Sequence, residues 1–163
     1  RIPVIAAGGV FDGSDIGKMI ELGADGVQMA TRFVCTDECD ADIRYKESYI
    51  AAKEEDMSVI QSPVGLPGRV IKNDFVRKIT MGERVDFGCS FRCLATCDPK
   101  KVNYCIAKAL INASRGDLEN GFAMCGSNAY RIDKIVPVKE LIDELVRDTR
   151  KYLARQSSSS FVK

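Results

Sequence analysis

Histidine and tryptophan are both absent from the 163 residues of this chain. The absence of histidine removes the commonest general acid–base residue and the commonest metal ligand from this segment. A histidine base for any reaction would therefore have to come from polypeptide outside this sequence. The net charge of the chain is only +1. A protein that binds nucleic acid usually has a clear excess of positive charge, so this composition argues against that class.

Long hydrophobic runs and a secretory signal are missing as well. No apolar run has the length of a membrane span, so we expect no membrane partner. The seven cysteines are an odd number, and without a secretory signal they indicate reduced thiols in a cytoplasmic protein. An apolar strand follows directly after Arg1 with no initiator methionine, which predicts that this sequence was cut from a longer protein.

Two short strand–loop–helix units make up the first 36 residues. An apolar strand over residues 2–7 ends at Gly8 and Gly9, and a second strand over residues 26–29 ends near Thr31. Strands that are apolar on both faces and joined by one compact helix are typical of a parallel sheet. The two strand ends would then lie side by side, and their backbone N–H groups would form a pocket suited to a phosphate.

The rest of the chain predicts further helices separated by short strands and loops. Ser14, Thr36 and Asn73 are the candidate N-caps. The predicted helices cover residues 38–55, 74–80, 104–114 and 138–153, and the predicted strands cover residues 57–60 and 69–71. The serine-rich end of the chain is expected to be disordered.

Four cysteines lie in a segment whose secondary structure the pattern does not define: Cys89, Cys93, Cys97 and Cys105. If the segment is helical, steps of four residues place the first three thiols on one face. Such a stripe is typical of cysteines packed as small hydrophobic residues, and it also allows an iron–sulfur or zinc site. The two-residue spacing of paired ligands is missing, so the packed stripe is the favoured interpretation and no metal is expected.

Three stretches of the sequence resemble the nitronate monooxygenase family, which includes the FMN-dependent enoyl-acyl-carrier-protein reductases of type II. They are residues 3–10 (PVIAAGGV), 23–33 (GADGVQMATRF) and 36–39 (TDEC), with a weaker match over residues 123–128 (AMCGSN). The resemblance implies an α/β protein, with the last two βα units of a (β/α)8 TIM barrel over residues 1–55. A mostly helical, cysteine-containing region over residues 56–153 and a disordered tail over residues 154–163 would follow.

The same resemblance implies FMN as the cofactor, with its phosphate on the loops after the seventh and eighth barrel strands. The residues implied to contact FMN are Gly8, Gly9, Gln28, Met29, Ala30, Thr31, Ser127 and Asn128. The family usually has glycine at the position of Ala30, and alanine would cost about 1 kcal/mol there if the loop needed a positive φ. No catalytic residue is expected in this segment, because the family's catalytic histidine would lie among the first six strands.

The implied activity of the whole protein is the oxidation of alkyl nitronates with O2. Reduction of an enoyl thioester by FMN and NAD(P)H is the alternative, because both chemistries would use the same phosphate anchor. A barrel that binds a phosphate ligand without flavin and a non-catalytic fragment are the two remaining interpretations. The expected partner is a small-molecule substrate, and a homodimer is compatible with the sequence. Two strands cannot close a barrel, so this segment alone should bind FMN poorly.

Overall fold

In the computed structural model, residues 1–89, 93–95 and 97–159 are described, and the chain divides into two compact units. Unit 1 combines residues 1–40 with the segment that begins at Lys134, and unit 2 is the intervening stretch 41–133. The sequence analysis placed region boundaries after residues 55 and 153, and the units of the structure divide after residues 40 and 133.

Unit 1 contains both predicted βα units. Strands β1 (Ile5–Ala7) and β2 (Gly26–Gln28) form a parallel two-stranded sheet, and helix α1 (Gly13–Glu21) connects them. The short helix α2 (Thr31–Val34) follows β2. Helix α6 (Val138–Ser159) is the last described element.

Helix α6 is longer than the sequence predicted. It continues past the predicted end at Leu153 as far as Ser159. The first six residues of the predicted disordered tail, 154–159, are therefore helical, and residues 160–163 lie outside the described part of the chain.

Helices α1 and α6 pack closely because α1 has glycines on the shared face. A Cβ atom at Gly13 would lie 2.5 Å from the backbone N of Thr149, and a Cβ atom at Gly17 would collide with the ring of Tyr152. The Tyr152 hydroxyl donates a hydrogen bond of 2.8 Å to Glu21. Apolar residues from both chain segments of unit 1 also form a small core: Val136, Leu141, Leu145, Ile16, Met29 and Phe33.

Helix α1 is capped by Asp12 and not by the predicted Ser14. The Asp12 carboxylate accepts hydrogen bonds of 3.0 Å from the backbone N–H groups of Ser14 and Asp15. The Asp15 carboxylate accepts in return from the N–H groups of Phe11 and Asp12, at 3.1 and 3.4 Å. This reciprocal arrangement is a capping box, and a carboxylate stabilises the positive end of the helix dipole.

The helix predicted to begin at Thr36 does not form there. The Thr36 hydroxyl donates to the carbonyl O of Phe33 at 2.8 Å, and the Thr36 backbone forms a parallel bridge with Val136. The next helix, α3 (Ile43–Ile50), begins several residues later, with the Asp42 carboxylate accepting from the Arg44 N–H. A contact distant in sequence thus overrides the local cap signal.

Unit 2 begins with α3 and continues with an antiparallel hairpin of β3 (Met57–Gln61) and β4 (Pro67–Ile71). Helix α4 (Asp74–Thr80) has the predicted bounds, and helix α5 (Ile106–Ser114) begins two residues later than predicted. The two short strands predicted for this region are confirmed as the two arms of the hairpin.

The core of unit 2 contains three aromatic rings in mutual contact. The ring centroids of Phe75, Tyr104 and Phe122 lie 5.9–6.0 Å apart, within the range of favourable aromatic pairs. Burial raises the pKa of the Tyr104 hydroxyl to about 12. Aliphatic residues complete this core: Ile60, Val70, Val76, Ile79 and Ala109.

Candidate functional site: adjacent strand ends in unit 1

The carboxyl ends of β1 and β2 lie next to each other, as the sequence predicted. In the parallel ladder Ala7 pairs with Gln28, and neighbouring strands are about 4.8 Å apart. The chain therefore leaves both strands at the same edge of the sheet. Gly8 and Gly9 continue from one strand end, and the segment from Met29 to Thr31 continues from the other.

The backbone at Gly8 and Gly9 has a conformation that favours glycine. The φ angles are 85° and 73°, and a Cβ atom at either residue would meet no other atom within 4 Å. Both glycines are exposed. The space beside this loop is therefore open, and consecutive residues with positive φ can direct backbone N–H groups towards an anion.

Ala30 stands where the family usually has glycine, and its φ is negative. The φ angle is −130°, so the backbone does not adopt the positive φ that favours glycine. The cost expected for a positive φ at this position therefore does not arise. Ala30 and Gln28 are exposed and Thr31 is half-buried, so these three residues remain compatible with contact to a ligand.

The side chain of Met29 is partly buried and packs against the core formed by Val136, Leu141 and Leu145. Among the residues predicted after β2, Met29 thus contributes its side chain to the core of unit 1. The sequence could not show this, because the strand is too short for an alternating pattern to separate its two faces.

The amino end of α1 is already occupied by carboxylates of its own sequence. Asp12 and Asp15 accept hydrogen bonds from the first-turn N–H groups and from the backbone just before them. An anion at this helix end would have to compete with two negative charges. The two carboxylates therefore disfavour an anion at the amino end of α1, and a bound anion at this edge would have to contact the loop residues that precede Val10.

Arg32 connects the two loops and does not extend into the open space. Its Nη2 atom lies 3.0 Å from Glu144 Oε1, and its Nη1 atom donates to the carbonyl O of Phe11 at 3.4 Å. The guanidinium carbon lies 4.7 Å from the centroid of the Phe11 ring, a cation–π contact. No pattern in the sequence indicated Glu144 as a partner of Arg32, because the two residues are 112 positions apart in the chain.

Ser127 and Asn128, the other two predicted FMN contacts, belong to unit 2. They precede a 3₁₀ turn (Ala129–Arg131), and the Asn128 carbonyl O accepts from the Arg131 N–H at 3.1 Å. The nearby Cys125 is partly buried, with its sulfur 3.7 Å from that of Met57. Burial raises the pKa of the Cys125 thiol to about 11.

The segment between Gly82 and Cys105 has no helix or strand in its described residues, so the condition for placing the thiols on one helix face is not met there. Cys93 is exposed, and the other three cysteines of the segment are partly exposed. In the described part of the chain no three Cys, Asp or Glu side chains are already arranged to hold a metal ion. All seven cysteines are free thiols.

Comparison with known proteins assigns the family. The sequence model of the nitronate monooxygenase family matches residues 1–148. The chain belongs to the nitronate monooxygenase family. Members of this family are flavoproteins.

Two relatives resemble the chain over about half of its length. A probable nitronate monooxygenase of Staphylococcus saprophyticus is 44% identical over 79 residues, which are 48% of this chain and 22% of that protein. A hydroxy-methyl-oxo-octahydro-indene-carboxyl-CoA dehydrogenase of Rhodococcus jostii is 38% identical over 78 residues, which are 48% of this chain and 22% of that protein.

Two solved structures resemble nearly the whole chain. FabK from Thermotoga maritima superposes with a TM-score of 0.80 and 35% identity, covering 98% of this chain and 48% of FabK. Nitroalkane oxidase of Streptomyces ansochromogenes gives a TM-score of 0.72 at 22% identity, covering 96% and 42% of the two chains, and this likeness concerns the fold. This chain therefore spans about half of each solved enzyme, and the predicted partial α/β barrel is confirmed.

No helix of the described residues is both long enough and apolar enough to cross a membrane.

Proposed function

We propose that this chain forms the phosphate-binding part of an FMN site in a flavin-dependent oxidoreductase. The observation that carries the proposal is the parallel register of β1 and β2, in which Ala7, just before Gly8 and Gly9, pairs with Gln28. Barrel enzymes frequently bind phosphate on the loops after their last two strands. The open space at both glycines supports the same place for the ligand.

The residues of this edge suit a phosphate dianion. Backbone N–H groups at Gly8 and Gly9 donate without a side chain to obstruct the approach, and the Thr31 hydroxyl adds a donor from the neighbouring loop. Hydrogen bonds to an ionised acceptor are shorter and stronger than neutral ones. FMN supplies the redox chemistry when bound, while these residues fix the phosphate end of the cofactor.

An ion pair between Arg32 and Glu144 stabilises the loop after β2. Their ion pair spans 3.0 Å, and both side chains are mostly buried, with 14% and 28% of their surface exposed. Because Arg32 also contacts Phe11, it holds the loop after β2 against the segment that follows Gly9. We propose that this contact fixes the separation of the two phosphate-binding loops.

For the whole protein we propose oxidation of alkyl nitronates with O2. The 44% identity to a probable nitronate monooxygenase supports this activity. The second candidate is reduction of an enoyl thioester by NAD(P)H, and it is supported by FabK, which matches 98% of this chain. Turnover of propyl nitronate with O2, compared with turnover of crotonyl thioester with NAD(P)H, distinguishes the two in a protein that includes the other six βα units.

The phosphate anchor can be tested separately from the reaction by comparing FMN with riboflavin, which has the same ring but no phosphate. In the completed barrel, Thr31→Val removes one hydroxyl donor. A hydrogen bond to a charged group contributes about 1.5–3 kcal/mol, so the Kd for FMN should rise about 10- to 100-fold. The Kd for riboflavin should stay unchanged.

Thr80→Val is the matched control. The Thr80 hydroxyl donates to the carbonyl O of Val76 within α4 of unit 2, at 2.7 Å, so its loss should leave both affinities unchanged. Equal affinity of the unsubstituted protein for FMN and riboflavin would contradict the phosphate anchor. A colourless protein that takes up no FMN would favour a barrel with a different phosphate ligand.

A further inference from the structure

A cavity of about 300 Å³ lies within unit 2, between α5, the segment that follows α4 and the turn that follows α5. This volume is at the lower end of the range found for small-molecule sites. Three of its lining residues are buried and apolar or aromatic: Phe75, Tyr104 and Ala109. The described residues that line it include none of those proposed to bind phosphate, so a ligand bound here would be distinct from the phosphate.

One face of α5 runs along the cavity. The lining residues contributed by this face recur at intervals of three and four positions: Cys105, Lys108, Ala109 and Asn112. Lys108 Nζ donates to the carbonyl O of Phe87 at 3.4 Å, and Asn112 Nδ2 donates to the carbonyl O of Asn120 at 3.0 Å. Lys108 and Asn112 are about 6 Å apart along the helix axis. The segment before α5 and the turn after it are therefore held against the same helix face, with the cavity between them.

The charged residues that line the cavity are two carboxylates, Asp86 and Asp117, and one ammonium, Lys108, so they sum to one negative charge. The Asp86 carboxylate accepts from the Gly88 N–H at 3.2 Å, and the Asp117 carboxylate accepts from the N–H and Nδ2 of Asn120 at 3.0–3.1 Å. A carboxylate has about four lone-pair positions, so both can accept from a further donor. A negative charge beside aromatic rings favours a cation over an anion.

We propose that this cavity binds a small organic cation, an amine that has a flat apolar group. The apolar group lies against Phe75 and Tyr104, where its burial removes apolar surface from water. The ammonium pairs with Asp117, and Asp86 adds the second negative charge. An anion of the same size and shape is disfavoured, because it would meet both carboxylates.

Two probes of opposite charge test this proposal in the completed barrel. Phenethylamine and 3-phenylpropionate have the same ring and a chain of similar length, but one is a cation and the other an anion. The Kd of each is measured by titration calorimetry. We expect phenethylamine to bind with a Kd in about the millimolar range, because so small a ligand buries little surface. Its Kd should be at least about fivefold lower than that of 3-phenylpropionate, and it should rise with salt concentration.

Asp117→Asn removes one negative charge from the cavity and keeps a carbonyl oxygen that can accept from Asn120. The Kd for phenethylamine should rise about two- to fivefold, the range of a partly exposed ion pair, and the Kd for 3-phenylpropionate should not rise. Asp133→Asn is the matched control, because Asp133 is an exposed carboxylate of unit 2 that does not line the cavity. This control should leave both Kd values unchanged.

A second measurement uses the unsubstituted protein and so avoids any folding defect of a variant. Cys105 lines the cavity and is partly exposed, and Cys39 is a partly exposed thiol of unit 1. Saturating phenethylamine should slow the alkylation of Cys105, located by mass spectrometry, but not that of Cys39. The proposal is overturned if 3-phenylpropionate binds as tightly as phenethylamine or more tightly, or if phenethylamine leaves the alkylation of Cys105 unchanged.

Discussion

Replacing Gly9 by alanine should weaken the binding of FMN but not the binding of riboflavin. The φ angle of Gly9 is 73°, and an L-residue in this region costs about 1–2 kcal/mol. If the loop relaxes to a negative φ, its N–H turns away from the phosphate, and binding must restore the strained conformation. A cost of about 1–2 kcal/mol corresponds to a Kd for FMN about 5- to 30-fold higher. Gly8→Ala, at a φ of 85°, should behave in the same way.

Gly23→Ala is the matched control for both variants. Gly23 has a φ of 98°, and like Gly8 and Gly9 it has no atom within 4 Å of an added Cβ. It ends α1 and precedes β2, so it lies at the opposite edge of the sheet from Thr31. Gly23→Ala should lower the free energy of unfolding by about 1 kcal/mol, because the strain exceeds the gain from the smaller conformational entropy of the unfolded variant. Gly8→Ala and Gly9→Ala should lower it by less, because a loop that relaxes to a negative φ transfers the cost from folding to FMN binding.

The assay is a fluorescence titration of the completed barrel with FMN and with riboflavin, together with urea unfolding of each variant. We expect Gly8→Ala and Gly9→Ala to raise the Kd for FMN with little loss of stability, and Gly23→Ala to lose stability with no change in the Kd for FMN. This expectation is refuted if Gly23→Ala raises the Kd for FMN as much as Gly9→Ala does. It is also refuted if Gly9→Ala raises the Kd for riboflavin by the same factor as the Kd for FMN.

Two further predictions concern stability. Gly13→Ala should lower the free energy of unfolding by about 1–2 kcal/mol, because the new methyl group collides with the backbone of α6 and this overpacking outweighs a gain of about 1 kcal/mol in helix propensity. Urea unfolding measures the change, with the exposed substitution Lys18→Ala as the control. An unchanged unfolding midpoint for Gly13→Ala would contradict the prediction. The pKa of Cys125 is about 11 in the folded protein and 9.0 for a free thiol. The protonated thiol therefore contributes its full stabilisation below pH 9. The free energy of unfolding should fall by about 2 kcal/mol as the pH rises from 9 to 11. The difference in unfolding free energy between the unsubstituted protein and Cys125→Ala should therefore change by that amount between pH 8 and pH 11, and a constant difference would argue against a buried thiol.

Local signals in the sequence predicted the elements that depend on local interactions. Helix α4 has the predicted bounds because Asn73 accepts from the Val76 N–H three residues later, at 2.9 Å. The parallel pairing of β1 and β2 follows from two apolar runs joined by one short helix. The first strand was predicted to end at Gly8 and Gly9, and both residues have the positive φ that glycine adopts readily.

Interactions between distant residues account for what the sequence could not predict. Glu38 was expected in the first turn of a helix of its own, but its carboxylate accepts from the Val138 N–H at 2.8 Å, at the beginning of α6. Arg32 likewise finds Glu144 on the same distant helix. Neither partner is marked by any spacing or residue type near Glu38 or Arg32. Both contacts therefore join residues that precede unit 2 to helix α6, which follows unit 2 in the chain.

The bridge between Thr36 and Val136 also has a consequence for how this chain can change in evolution. Asp37 donates to the carbonyl O of Val136 at 3.1 Å, and Val136 donates to the carbonyl O of Cys35 at 3.3 Å. Residues 35–37, near the position where the chain leaves unit 1, are thus hydrogen-bonded to Val136, near the position where the chain returns to unit 1. An intervening segment whose ends already meet can lengthen, shorten or be exchanged at little entropic cost to its host. A lineage could therefore gain, lose or exchange unit 2 as one module while β1 and β2 keep their pairing.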